Sequence, residues 1–195
     1  MVSTQRAQFG DASRSWRTRD IVVTAVIAVA FGVVFWGWNL AWDAATPLFA
    51  AAPWLQDGMY GVWLMPAVLA PLIVRKPGAA LFAELVAAGV SALLGSRWGV
   101  DALLSGLLQG LGAEIVFFAT GYRLYGFIVL AVAAIGAAIP AWIHDWILYY
   151  ADVDPFIQVL RGIAIAISAV VITAGGSLLL ARKLRDAGVL EGFPE

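Results

Sequence analysis

The chain has 195 residues, 62% of them hydrophobic and 13% charged, with a mean hydropathy of +0.87. No soluble domain of this size tolerates such a surface, so the composition is that of an integral membrane protein. A net charge of −1 lacks the basic excess expected of a nucleic-acid partner, and the absence of cysteine excludes disulfides, thiolate metal sites and cysteine nucleophiles.

Residues 1–19 are polar and basic, without apolar periodicity, and are expected to form a cytoplasmic tail. The apolar run 21–42 carries no charge and is long enough to cross a bilayer core of roughly 30 Å at about 1.5 Å per residue. It predicts a first helix over about 20–42, around which the rest of the chain is expected to be arranged. Its first half holds small residues and its second half Phe35, Trp36, Trp38, Asn39 and Trp42, so one half suits helix contact and the other ligand contact. Residues 43–58, with two prolines and an acid near each end, read as a loop.

A second helix, about 59–74, contains Pro66 and Pro71 and is expected to be short and bent. After the RKPG turn come a third helix, about 79–95, with Glu84, and a fourth, about 101–120, with Gln109 and Glu114. The fifth, about 124–149, holds Pro140, His144 and Asp145, and the sixth covers about 157–181. The expected fold is all-α, a six-helix membrane domain over 20–183 with cytoplasmic tails 1–19 and 184–195. Both termini are expected inside, because that choice places ten of the twelve Lys and Arg residues in the cytoplasm and leaves only Arg97 and Arg161 outside. The outer loops and adjacent helix ends then hold Asp43, Asp57, Asp101, Asp145, Asp152 and Asp154, an acidic mouth that would favour a cationic ligand.

Carboxylates within spans are costly, and they commonly face the bundle along a ligand path. Glu84 and Glu114 each lie about six residues from a cytoplasmic turn, roughly 9 Å in, which predicts a shared depth. Glu84 shares a stripe with Ala88, Ser91 and Gly95, and Glu114 a small face with Gly106 and Gly110. Both are ligand candidates, set against the alternative of acids hydrogen-bonded to backbone. Asp101, Ser105, Gln109 and Gly112 form a polar stripe, in which Gln109 offers mixed donors and acceptors to a heteroaromatic ring.

Trp36, Trp38 and Trp63, deeper than the interfacial Trp42, Trp54, Trp98 and Trp146, could stack on a flat cation, with Asn39 on the same helix end. His144 and Asp145 complete the ligand candidates; a single histidine argues against zinc, and no metal or cofactor is expected. No serine sits in a nucleophile turn and no Walker A sequence occurs, which speaks against an enzyme and against ATP hydrolysis by the chain itself. A free-standing carrier is the alternative to a ligand-binding subunit of a larger transporter; six helices without an inverted repeat are few for alternating access.

The runs WRTRDIVVTAVIAVAFGVVFWGWN, GVWLMPAVLAPLIVRKPGAALFAELVAAGVSALLGSRWG and SGLLQGLGAEIVFFATGYRLY resemble the YkoE family, the substrate-binding S components of energy-coupling-factor transporters for thiamine or its hydroxymethylpyrimidine precursor. The blocks KPGAALFAEL and SGLLQGLGAE are the specific parts. The resemblance implies a vitamin-capturing protein of the bacterial plasma membrane, its pocket in the outer half beneath the loops joining helices 1 and 2, 3 and 4, and 5 and 6. It also implies docking on a transmembrane coupling protein that carries two ABC-type ATPases, through small residues of helix 1 matching Ala25, Ala28 and Gly32. The motif here is AxxxG, where many S components have AxxxA.

Overall fold

The computed structural model describes residues 15–194. Most of the N-terminal tail, residues 1–14, therefore lies outside the described residues. Six helical elements follow in order: α1 (Thr18–Ala45), α2 (Pro53–Val74), α3 (Ala79–Leu93), α4 (Asp101–Ala119), α5 (Phe127–Tyr149) and α6 (Pro155–Asp186). Five of them are long and apolar enough to cross a membrane, and α3 is a shorter apolar helix.

α1 starts where Arg17 is extended and the Asp20 carboxylate accepts the Arg17 N–H at 3.0 Å; an acid in the first turn also suits the positive end of the helix dipole. Its protein-facing stripe runs Thr24, Ala28, Phe31, Gly32, Phe35, Asn39 and Trp42, while Val22, Val26, Val33 and Leu40 remain exposed. Both faces are apolar because lipid and protein interior make similar demands.

That equivalence explains a departure from the expected arrangement. The element at the centre is α2, not α1: every residue from Pro66 to Val74 is buried, and α2 contacts all five other helices. Alanines and prolines in MPAVLAPLIV let neighbours approach from all sides, whereas hydropathy alone does not separate a central helix from a lipid-facing one. Helical structure in α2 also begins at Pro53, before the expected start near Met59, as a 3-10 helix (Pro53–Leu64) that becomes α-helical at Met65. A twelve-residue 3-10 segment is long for that geometry and needs outside support.

The support comes from α6, whose middle, Ala169–Gly175, is π-helical between α-helical arms. Ser168 Oγ accepts the Gly61 N–H at 2.8 Å and donates to the Gly58 carbonyl at 2.7 Å, and Thr173 Oγ1 donates to the Gly61 carbonyl at 2.6 Å. A Cβ on Gly61 would lie 2.5 Å from the Ser168 carbonyl oxygen, so only glycine allows this approach. Two irregular backbones thus satisfy each other where no water is available.

At one end of the bundle the basic segments meet: Trp16 Nε1 donates to the Pro77 carbonyl at 2.9 Å, and the Arg19 guanidinium lies 4.7 Å from the Phe193 ring centroid. α4 also ends here, with Gly121 at φ +61° and the Tyr122 N–H returning to the Phe117 carbonyl at 2.9 Å. At the other end Arg97 pairs with Asp43, and the acidic segments surround the opening described next.

Candidate ligand-binding site

A cavity opens at the acidic end among all six helices; the empty space among its lining atoms, open mouth included, is about 650 Å³. At its floor lies Glu84, 1% exposed, brought in by the α3 stripe that also presents Ala88 and Ser91. Glu84 Oε2 accepts the Ala67 N–H at 3.0 Å. With the Gln109 amide oriented to satisfy its neighbours, its nitrogen donates to Glu84 Oε1 and to the Trp63 carbonyl, both at 3.2 Å, while its oxygen accepts from Ser105. Ala67 N–H and Trp63 C=O are the groups that a continuous α-helix would pair with each other. Glu84 and Gln109 therefore hold the junction at which α2 changes from 3-10 to α.

The 3-10 geometry builds one wall. With three residues per turn, side chains at i and i+3 eclipse, so Asp57, Tyr60 and Trp63 form a single column facing the cavity. Trp42 of α1 joins them: its ring centroid is 4.9 Å from that of Trp63 and 6.5 Å from that of Tyr60. Next to this wall Asn39 donates from Nδ2 to Ser96 Oγ at 3.0 Å, and its Oδ1 is buried without a hydrogen-bond partner. A buried acceptor left unpaired costs on the order of 1–3 kcal/mol, which a donor on a ligand would recover.

The opposite wall is a polar chain. His144 has Nδ1 3.0 Å from Asp145 and Nε2 3.1 Å from Asp101. The Tyr60 hydroxyl donates to Asp145 at 3.0 Å, and that of Tyr149 donates to Asp101. Near the mouth, Arg161 pairs with Asp57 and lies 3.3 Å from the Tyr150 ring centroid. Asp57, Trp42, Tyr150 and Arg161 also face a second, outer recess, so they partition the two spaces. Four acids against Arg161 and His144 leave the cavity an acidic lining.

Of the residues expected from sequence, the cavity gathers Glu84, Gln109, Asn39, Trp63, His144 and Asp145. Three lie elsewhere. Glu114 is at the basic end, where its carboxylate accepts the N–H groups of Gly78 at 2.6 Å and Ala80 at 3.0 Å and the Tyr122 hydroxyl at 2.7 Å. The unpaired N–H groups at the start of α3 claim it, so the two acids do not share a site. Trp36 points outward, 40% exposed, and Trp38 donates to the Met59 carbonyl at 3.1 Å without lining the cavity.

The small residues of α1 are also placed differently from expectation. Ala28 is fully buried against Ala70 and Ala83, and a Cβ on Gly32 would collide with Val90 and lie 2.9 Å from the Ala87 carbonyl oxygen. These two seat α3 within the chain, while Ala25 is half-buried beside them. Ala28 and Gly32 therefore do not form an exposed face of α1.

Sequence reasoning did not assign Tyr60, Ser96, Tyr149, Tyr150 or Arg161 to the site, and it placed Asp57 only among the acids of the outer mouth. A period of three in Asp57, Tyr60 and Trp63 was the available signal, hidden by reading 43–58 as a loop. Asp101 was on the polar stripe, whose lower member Gly112 instead packs on Gly136 of α5.

A family model described as the permease component of an ABC-type cobalt transport system matches residues 19–140. The chain is 33% identical over 181 residues to the HMP/thiamine permease protein YkoE of Bacillus subtilis (strain 168), covering 92% of this chain and 90% of that one. It superposes on the crystal structure of an S-component of an ECF transporter with a TM-score of 0.86 and 33% identity, covering 91% of this chain and 90% of the other.

Proposed function

The chain belongs to the YkoE family of energy-coupling-factor S components, multi-pass proteins of the bacterial plasma membrane that serve as substrate-binding subunits, and from that premise we propose that its cavity captures thiamine or hydroxymethylpyrimidine. The observation that carries this reading is the meeting of three features in one cavity: the Trp42–Tyr60–Trp63 wall, the Glu84–Gln109 pair and the unpartnered Asn39 Oδ1. An aminopyrimidine presents ring-nitrogen acceptors and an exocyclic amine donor, which suits an amide, a carboxylate and a carbonyl oxygen around a stacking surface. A thiazolium cation finds aromatic faces and the aspartates of the opposite wall.

In this reading the acidic end faces outward and both termini lie in the cytoplasm, as the distribution of Lys and Arg favours. Energy comes from a coupling protein bearing two ABC-type ATPases, with which the S component assembles. The fully buried Ala28 and the Val90-seated Gly32 support docking through the exposed α1 face that contains Val26, Val33 and Leu40, not through the small-residue motif.

The test is calorimetric titration of the purified chain with thiamine and with hydroxymethylpyrimidine. Saturable binding of either ligand, competed by the other, is the expected result. No binding of either by a folded sample would refute the assignment.

A further inference from the structure

The mouth of the ligand cavity already holds a cation, and it belongs to the protein. Arg161, 8% exposed, places its guanidinium carbon 3.3 Å from the centroid of the Tyr150 ring. On its other side Nη2 donates to Asp57 Oδ1 at 3.1 Å, and Nε is in ion-pair contact with Oδ2 at 2.9 Å. A positive group between an aromatic face and a carboxylate is the arrangement by which proteins hold cationic ligands. Building on the vitamin-capture reading, we propose that Arg161 is a specificity-determining residue: its guanidinium fills the place that a ligand's cation would take, and so weights the cavity against thiamine relative to uncharged pyrimidines.

Three observations carry the assignment. First, the place is built. Tyr150 is held from both sides: its N–H returns to the Asp145 carbonyl at 3.1 Å, and its own carbonyl accepts the Gln158 amide at 2.5 Å and the Val153 N–H at 3.1 Å. Gly162 seats the turn of α6 that carries Arg161, since a Cβ there would lie 3.0 Å from the Trp142 ring. Asp57 is 2% exposed and stands in the column that Tyr60 and Trp63 share.

Second, Arg161 stands where a second ring would have to go. With Trp42, Asp57 and Tyr150 it lines both the cavity and the outer recess, so a ligand with one ring at Glu84 extends toward this partition. Third, the other cavity carboxylates are met by different partners. Glu84 accepts from the Ala67 N–H and the Gln109 amide, Asp145 from the Tyr60 hydroxyl, and Asp101 from the Tyr149 hydroxyl, with His144 between the two aspartates. Among the described residues, Asp57 is the cavity carboxylate matched by a guanidinium. A thiazolium arriving at the mouth therefore meets like charge at close range in a site sheltered from water, whereas hydroxymethylpyrimidine brings no fixed charge. An ion pair that only joined α6 to α2 would affect every ligand alike; one that fills the cation's place discriminates by charge.

The experiment titrates the purified full chain with hydroxymethylpyrimidine, with thiamine, and with the uncharged thiamine isostere in which carbon replaces the thiazolium nitrogen. Affinities are compared within each variant, so differences in stability cancel. In wild type, thiamine should show no advantage over its isostere. Arg161→Gln should shift the ratio toward thiamine by about tenfold, the size of a desolvated cation–π contact. Asp57→Asn keeps the guanidinium and removes its counter-charge, so it should shift the ratio the other way.

A wild-type preference of tenfold or more for thiamine over the isostere overturns the proposal without recourse to any variant. A ratio that stays fixed in Arg161→Gln, or that moves in the same direction in both variants, overturns it as well. If none of the three compounds binds folded wild type, the vitamin reading itself falls and charge selection with it. If all three bind and the ratio does not move, only the role of Arg161 falls.

Discussion

Arg161 holds Asp57 by a hydrogen bond from Nη2 to Oδ1 at 3.1 Å and an ion-pair contact of Nε with Oδ2 at 2.9 Å, joining α6 to the 3-10 half of α2 across 104 positions of sequence. Both side chains are nearly buried, so the pair is worth most when it is intact. Replacing Arg161 with Leu strands the carboxylate and should cost about 3 kcal/mol in a denaturation experiment, with Asp57→Asn in the same chain recovering most of the loss. A double variant as unstable as the single one would show that the stranded charge is not the cause.

The two intramembrane glutamates should separate cleanly. Glu84→Gln, at the cavity floor, is expected to weaken thiamine binding by about tenfold or more, since it removes the charge from an acceptor in the site. Glu114→Gln should leave affinity unchanged but lower the thermal midpoint, because the carboxylate caps the start of α3, a role worth about 1 kcal/mol. Titration and melting of both variants decide it; the reverse pattern would exchange the two roles.

Asn39→Leu is expected to reduce affinity about tenfold through loss of the buried Oδ1 acceptor, while Ser96→Ala, which removes only the partner of Nδ2, should have a smaller effect. Competition binding with hydroxymethylpyrimidine, which lacks the thiazolium, tests the point. An equal loss in both variants would mean that Asn39 serves to position the turn at Ser96.

Gly32→Leu should destabilise the isolated chain by about 2 kcal/mol, because the larger side chain must displace Val90 and the α3 backbone. Val33→Leu, one position along on the exposed face, should melt like wild type. The comparison requires no partner protein, so a defect seen only on assembly with the coupling protein would restore Gly32 to a docking surface.

Much of the site could be read from helical spacing. Glu84, Ala88 and Ser91 on α3 and Asp101, Ser105 and Gln109 on α4 face one space because regular helices keep residues three and four apart on one side. What spacing could not tell was which neighbour satisfies which polar group. Glu114 obeys the same rule as Glu84 and points at α3 as expected, yet it meets that helix at its unpaired N–H groups. Trp36 and Trp38 differ by two positions and so face different directions, one outward and one toward the Met59 carbonyl. The column Asp57, Tyr60, Trp63 required recognising a 3-10 segment that is stable only because Ser168 and Thr173, over a hundred residues away, hold it.

The brevity of α3 has a mechanical consequence for the membrane itself. Its fifteen residues reach about 22 Å, short of a hydrocarbon core of roughly 30 Å, and Leu93, Leu94 and Val100, exposed around the turn that follows, continue its apolar surface beyond the helix end. That extension shortens the mismatch which the helix length alone would impose on the surrounding lipid, a mismatch whose cost grows with every ångström. The turn after α3 thus completes, on the side of the bundle that carries Glu84, an apolar edge that the helix by itself leaves short.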